Sequence, residues 1–149
     1  MTKKSETGKI GEDLACEYLV NKRFTIIERN FRRKWGELDI IGKDSVGVLV
    51  FVEVKAMRKY NNAASNSAIA ELSPEDNLTS AKLRKLKRTA SLYAGFNEKL
   101  IDDEKGWRID LVAISLPTDV SRETLKTGVS KDNLTNYIKN CEIKHFENI

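Results

Sequence analysis

The sequence predicts one α/β domain in which a mixed central sheet is flanked by helices. The chain has 149 residues, a length that suits a single domain with a buried sheet. Its apolar pattern changes between helical and alternating spacing in the order helix, three strands, helix, strand. A polar stretch then predicts a variable C-terminal segment over residues 117–149 or so.

The first predicted element is a helix from Thr7 to about Asn21. Apolar residues recur there at spacings of three and four, and Ser5 or Thr7 is available as the N-cap. Glu12 lies at the top of the apolar stripe, so its side chain need not point to solvent. A glutamate in a first turn is also favoured by the helix dipole, which leaves both a structural and a site role open for Glu12.

Two strands are predicted next, at Phe24 to Phe31 and at Gly36 to Ile41. Cations and one aromatic side chain lie around the connection between them. These residues are Arg29, Arg32, Arg33, Lys34 and Trp35. Such a group suits contact with a phosphate backbone. The alternative is a hairpin tip whose charges only keep the protein in solution.

A third strand is predicted at Val48 to Lys55, and its continuous apolar run indicates a central position in the sheet. Side chains alternate between the two faces of a strand. Glu53 and Lys55 therefore share one face, while the intervening valines form the other face, which we predict to be the core side.

The second and third strands each carry acids within an apolar run. Asp39 shares a face with Glu37, and Asp39 can converge with Glu53 if the two strands pair. A buried carboxylate is costly unless a cation or hydrogen bonds compensate it. A divalent metal is one such compensation, because Mg²⁺ binds a few carboxylate oxygens and keeps waters that can attack phosphorus. The alternative is a solvated sheet face with cross-strand ion pairs.

A polar stretch follows at residues 57–78, where we predict a mobile loop with a short helix around Ala68 to Leu72. A second long helix is predicted from Thr79 to about Phe96. Its basic residues have no acid among them, which favours a nucleic-acid surface over a merely solvated face. They are Lys82, Arg84, Lys85, Lys87 and Arg88.

The fourth strand is predicted at Trp107 to Leu116. Asp110 is expected to form an ion pair with Arg108, with a further metal ligand as the alternative. His145, the single histidine, is expected to be structural. The tail is predicted to hold a short helix and a last strand, over Asp132 to Lys139 and Glu142 to Phe146.

Charge and cysteine content restrict the function class. The chain has 26 Lys and Arg against 22 Asp and Glu, a formal charge of +4, which favours a polyanionic partner. Cys16 and Cys141 lie in no zinc or redox motif, and Cys16 suits helix packing. No apolar stretch approaches the roughly 20 residues of a membrane span, and residues 1–7 lack a signal core. We therefore expect a cytoplasmic protein with no membrane partner.

The order of these segments resembles the bacterial YraN-like family, UPF0102. The resemblance covers most of residues 7–116. It rests on Gly11-Glu12, Arg29-Asn30-Phe31-Arg32, Gly36-Glu37-Leu38-Asp39-Ile40-Ile41, Phe51-Val52-Glu53-Val54-Lys55 and Arg108-Ile109-Asp110-Leu111-Val112-Ala113-Ile114. That family is similar to PD-(D/E)XK nucleases and to archaeal Holliday junction resolvases. The resemblance implies a restriction-endonuclease-like fold, with residues 1–149 as a single nuclease-like domain.

The resemblance also implies roles for individual residues. Asp39 and Glu53 would bind Mg²⁺ or Mn²⁺, with the main-chain carbonyl of Val54 as an added ligand. Lys55 would be the catalytic lysine, and Glu12 would complete the acidic cluster from its helix. Such a site would hydrolyse phosphodiester bonds in DNA.

The expected partner is DNA. Similarity to the resolvases suggests branched DNA and a homodimer, with RNA kept as an alternative substrate, and Lys82 matches a basic position at the start of the family's helix. Two other classes compete with a nuclease. One is a non-catalytic nucleic-acid-binding module that keeps the fold, and the other is an adaptor whose basic helix contacts an acidic protein.

Overall fold

The computed structural model describes residues 5–58, 78–117, 124 and 129–149. Within these ranges the chain forms three α-helices and five strands, with a short 3-10 helix at Glu98–Leu100. The helices are α1 (Glu6–Asn21), α2 (Ser80–Phe96) and α3 (Lys131–Asn140). The strands are β1 (Thr25–Arg33), β2 (Gly36–Lys43), β3 (Leu49–Arg58), β4 (Trp107–Leu116) and β5 (Glu142–Phe146).

This architecture confirms the predicted α/β class, and it is consistent with a restriction-endonuclease-like fold. The final helix and strand lie where they were predicted. The predicted loop at 57–78 lies mostly outside the described residues, as does the short helix at Ala68 to Leu72. Its first two positions were assigned wrongly, because Met57 and Arg58 continue β3. No helix in the described ranges is long and apolar enough to cross a membrane.

The strands form one mixed sheet in the order β1-β2-β3-β4-β5. Neighbouring strands are antiparallel except β3 and β4, which are parallel. A parallel pair needs a crossover connection, and α2 lies in the segment between these two strands. In this strand order β3 is the central strand, as its apolar run predicted.

Both faces of the sheet are buried, each under a different helix. Val50 and Val52 pack in the cluster that contains the apolar residues of α1. Phe51 packs on the opposite face, in the cluster that contains the buried residues of α2. The prediction of a single core side on β3 was wrong, because α2 covers the second face and buries Phe51 completely.

The start of α1 is held by its N-cap and by a close contact with β3. Ser5 is the N-cap, and its Oγ accepts a hydrogen bond of 3.1 Å from the Gly8 N–H. Gly11 lies directly on Ala56 of β3, so closely that a Cβ at position 11 would overlap the Ala56 Cβ. Glu12, the next residue, is buried, as its place on the apolar stripe predicted.

The expected alternation of β2 breaks around Asp39. Leu38 packs in the cluster on the α2 side, whereas Ile40 packs in the cluster on the α1 side. In β1, Asn30 lies between the residues paired with Leu38 and Ile40, and it has a left-handed φ of 52°. Both strands are therefore distorted at this level of the sheet.

Candidate functional site

Strands β2 and β3 separate at the level of Asp39 and Glu53. Their ladder ends with the pair of Ile40 and Val52, so Asp39 and Glu53 come next on the two strands. Oδ2 of Asp39 accepts a hydrogen bond of 2.9 Å from the Val54 N–H. This bond gives the Val54 amide a side-chain acceptor beyond the end of the ladder, and it holds the Asp39 carboxylate against β3.

A cleft of about 990 Å³ opens between these strands and α2. It contains carboxylates from β2 and β3 and cations from the β1–β2 connection and α2. The described residues that line it are Arg33, Lys34, Gly36, Glu37, Asp39, Glu53, Leu78, Lys82, Lys85, Leu86 and Thr89. The structure thus brings Asp39, Glu53 and four of the predicted cations to one cleft.

The approach of α2 to β2 depends on Gly36 and Thr89. A Cβ at position 36 would overlap the side chain of Thr89, which is buried and donates a 2.9 Å hydrogen bond to the Lys85 carbonyl. This contact sets the rotation of α2 and directs Lys82 and Lys85 to the cleft. Sequence reasoning missed both contact residues, although a glycine opening the acidic strand was the available signal.

The basic residues of α2 divide between two sides of the helix. Lys82 and Lys85 line the cleft. Residues of an α-helix turn by about 100° per position, so Arg84 and Lys87 project from the opposite side, while Arg88 lies on the flank beside Lys85; all three are exposed. The predicted nucleic-acid surface on α2 remains a prediction, and of its cations only Lys82 and Lys85 line the cleft that holds the acids.

Two predicted cations of β1 also lie outside the set of residues that line the cleft. Arg29 forms an ion pair of 2.6 Å with Asp13 of α1. Burial opposes the Arg29 charge, but the hydrogen bond that Arg29 donates to the Asp13 carboxylate raises the pKa of Arg29 above its ordinary value. Arg32 belongs to β1 because the turn is shorter than predicted, and its Nε is buried without a hydrogen-bond partner among the described residues.

The remaining predicted catalytic residues, Glu12 and Lys55, do not line the cleft. Glu12 is buried in α1, next to the point where Gly11 crosses β3. Lys55 is exposed on β3, two residues after Glu53. Val54 uses its N–H to hold Asp39.

A second charged cluster lies at β4 and β5, around the fully buried Asp110. The Asp110 carboxylate is bonded to Arg108 Nε at 2.9 Å, to His145 Nε2 at 2.9 Å and to the Asn148 N–H at 3.0 Å. Burial would raise the pKa of Asp110, but these hydrogen bonds together lower it below its ordinary value. The predicted ion pair of Asp110 with Arg108 is confirmed. His145 bonds to the same buried carboxylate, which agrees with the structural role expected for it.

Within the described residues, this cluster also brings together side chains of the kinds that bind metal ions. Ligand atoms of Asp110, His145 and Glu147 all lie within 4.8 Å of one another. Glu12, Asp39 and Glu53 are not gathered in this way within the described part of the chain. A cation at Asp110 would have to compete with the guanidinium of Arg108, which already occupies both carboxylate oxygens.

The fold and the cleft define an α/β protein with a restriction-endonuclease-like sheet in which acids of the sheet face cations of a helix. The model of the uncharacterised protein family UPF0102 matches residues 11–114. The chain is 36% identical over 121 residues to a UPF0102 protein of Clostridium botulinum (strain Loch Maree / Type A3), which covers 81% of this chain and 89% of that relative. It is 35% identical over 108 residues to a UPF0102 protein of Ralstonia pickettii (strain 12J), and this match covers 72% of this chain and 79% of that relative. The chain therefore belongs to the UPF0102 family, as the resemblance of its motifs predicted.

Proposed function

We propose that this protein is a metal-dependent nuclease that hydrolyses phosphodiester bonds of DNA in the cleft between β2, β3 and α2. The observation that carries this proposal is the meeting of Asp39 and Glu53 with Lys82 and Lys85 in one cleft. Carboxylates alone would repel a phosphate backbone, and lysines alone would bind it without hydrolysing it. The two together suit a phosphodiester that must be both held and attacked.

The donor atoms of the cleft fit a hard divalent cation. Asp39 and Glu53 offer carboxylate oxygens, with Glu37 beside them, and oxygen donors are those that Mg²⁺ and Mn²⁺ prefer. Asp39 and Glu53 would hold the ion, and the carbonyl of Val54 is the proposed main-chain ligand. When bound, such a metal lowers the pKa of water and polarises the phosphoryl oxygen.

The chain itself supplies binding and orientation. The bond from the Val54 N–H fixes the Asp39 carboxylate, which reduces the cost of ordering it when substrate binds. Lys82 and Lys85 would bind backbone phosphates from α2, together with Arg33 and Lys34 from the opposite hairpin. We assign Lys55 to stabilise developing negative charge from β3 and Glu12 to support the acidic cluster from α1.

A non-catalytic nucleic-acid-binding module is the second candidate function. It is favoured by the separation of Glu12 from the cleft lining and by the absence, among the described residues, of a gathered group formed by Glu12, Asp39 and Glu53. In that case the acids would serve the fold, and the cations of the cleft would bind phosphates alone.

Cleavage of a labelled panel tests the proposal. Four-way junction, flap, single-stranded and duplex DNA, and one RNA, are incubated in Mg²⁺, Mn²⁺ or EDTA. The variants are Asp39→Asn and Glu53→Gln, with Asp103→Asn as the control because Asp103 is exposed and does not line the cleft. Metal-dependent cutting that only the first two variants lose supports the nuclease. Salt-sensitive binding by the wild type with no cutting in either metal overturns it in favour of the binding module.

A further inference from the structure

An aromatic groove of about 310 Å³ lies beside the cleft. Its lining residues are Phe31, Arg33, Trp35, Tyr93, Phe96 and Asn97. Phe96 is 78% exposed, the largest exposed fraction of any large apolar side chain in the described ranges. A single exposed apolar residue is ordinary, but an exposed ring that continues into an apolar groove is typical of a binding surface.

The rings of the groove form a supported surface. Phe31 packs edge-on against Tyr93, with ring centroids 5.0 Å apart, and both rings are buried. Trp35 lies on Phe31 at 5.5 Å. Phe96 lies 6.5 Å from Trp35, and the two planes are inclined by 35°. Two buried rings thus support two outer rings whose planes are not far from parallel.

The groove and the cleft are continuous through the β1–β2 hairpin. Arg33 lines both of them, and its guanidinium lies 4.5 Å from the centre of the Phe31 ring. Lys34 lines the cleft, while the next residue, Trp35, lines the groove. A chain whose phosphates contact Arg33 and Lys34 would therefore carry its adjacent base towards the aromatic rings.

The chemistry of this pair of surfaces selects one occupant. The cations where the cleft and the groove meet suit a polyanion, and the rings of the groove suit the face of an aromatic group. A nucleotide has both, a phosphate and a base. Bases of an intact duplex are stacked on each other and cannot present their faces to a groove. We propose that the groove stacks an unpaired nucleobase next to the backbone held in the cleft. The substrate class would then be DNA with a single-stranded end, a flap or a branch point. This inference rests on the proposed binding of nucleic acid in the cleft.

Binding in EDTA tests the inference without cleavage. Fluorescence anisotropy compares a blunt duplex with the same duplex carrying a short thymidine overhang. We expect Phe96→Ala to weaken binding of the overhang duplex by about tenfold, a typical loss for one base stacked on an aromatic ring. Binding of the blunt duplex should change less than twofold. Because Phe96 is exposed, its removal does not threaten the fold.

Two further substitutions separate base stacking from a general apolar contact. Phe96→Tyr keeps the ring and should bind the overhang as wild type does, whereas Phe96→Leu keeps an apolar side chain without a ring and should bind like Phe96→Ala. Val46→Ala trims another largely exposed apolar side chain, 63% exposed, at a residue that lines neither the groove nor the cleft, and it should have no effect.

The outcomes distinguish this inference from the proposed function. Equal losses on both duplexes, or wild-type binding by Phe96→Leu, overturn base stacking while cleavage and salt-dependent binding leave the cleft assignment intact. Wild-type protein that binds neither duplex at low salt overturns the cleft assignment and the stacking inference together.

Discussion

The Asp39 carboxylate accepts a hydrogen bond of 2.9 Å from the main-chain N–H of Val54, across the point where β2 and β3 separate. The same carboxylate faces the cleft beside Glu53. One side chain therefore ends the pairing of two strands and also contributes charge to the candidate site. A substitution at Asp39 can change stability and activity for different reasons, and two variants separate these effects.

Asp39→Asn keeps an oxygen that can accept from Val54 but removes the negative charge. We expect its free energy of unfolding to stay within about 0.5 kcal/mol of wild type, while metal-dependent cleavage is lost. Asp39→Ala also removes the acceptor and should lose about 1 to 3 kcal/mol, because a half-buried N–H is left without that partner. Urea unfolding followed by circular dichroism measures the difference. Equal stability of the two variants would show that the bond contributes nothing, and cleavage by Asp39→Asn would remove Asp39 from the ligand set.

The division of charges on α2 gives a matched pair of double variants. Lys82→Ala with Lys85→Ala removes two cations from the cleft, and Arg84→Ala with Lys87→Ala removes two from the opposite side of the helix. Each double variant changes the net charge by the same amount. We expect the first to weaken DNA binding uniformly and to reduce the slope of log K against log salt by about 2, as loss of two phosphate contacts predicts.

The second double variant should leave that slope nearly unchanged. Titration of a duplex by anisotropy at several salt concentrations measures both. Equal slopes for the two double variants would mean that the cleft is not where the backbone lies, and that only the total charge of the protein matters.

The order of the elements followed from the sequence because each carries its own local signal, whereas the ends of β1 and β3 lie two or three residues beyond their predicted positions. Thr79 caps α2 as its residue type predicts, with its Oγ1 accepting from the Lys82 N–H at 3.2 Å. The central place of β3 followed from its apolar run. The meeting of Asp39 and Glu53 followed from the pairing of adjacent strands, although the regular alternation assumed for β2 breaks beside Asp39.

The parts of the site that escaped prediction depend on contacts between distant segments. The rotation of α2 is set by Thr89 against Gly36, and it decides which lysines reach the cleft. The aromatic groove joins rings from β1, the hairpin and the end of α2. No spacing within one segment encodes such a meeting, so a periodic pattern can find the helix face but not its neighbour.

The contact of Gly11 with Ala56 predicts that Gly11→Ala changes the free energy of unfolding differently in two backgrounds. Gly11→Ala alone should destabilise the fold by roughly 1 to 3 kcal/mol, because two Cβ atoms on rigid elements cannot occupy the same space. In the background of Ala56→Gly the same change should be neutral or stabilising, since alanine favours a helix over glycine by about 1 kcal/mol. Urea unfolding of the four proteins measures this coupling. Destabilisation of the same size in both backgrounds would place the strain elsewhere.

The last prediction concerns acid stability and the buried cluster around Asp110. The pKa of Asp110 is lowered: burial would raise it, but hydrogen bonds from His145, Arg108 and Asn148 outweigh that effect. The pKa of Asp44 is lowered in the same manner by Arg108 and two main-chain N–H groups. The unfolded chain therefore takes up these protons first as the pH falls. The stabilisation is complete above the ordinary aspartate pKa of about 3.9 and is lost as the pH falls through the lower folded values.

Asp110→Asn should lose roughly 3 kcal/mol at pH 7, because Arg108 then keeps only Asp44 as a charged partner in a mostly buried position. Its free energy of unfolding should also fall less steeply than that of wild type below about pH 4. Asp13→Asn is the control, since its pair with Arg29 is more than one-third exposed on both sides and should contribute less than about 1 kcal/mol. Urea unfolding between neutral and acidic pH gives all three curves. Parallel curves for wild type and Asp110→Asn would mean that the charge of Asp110 does not stabilise the folded state, and that the cluster acts only through its shape.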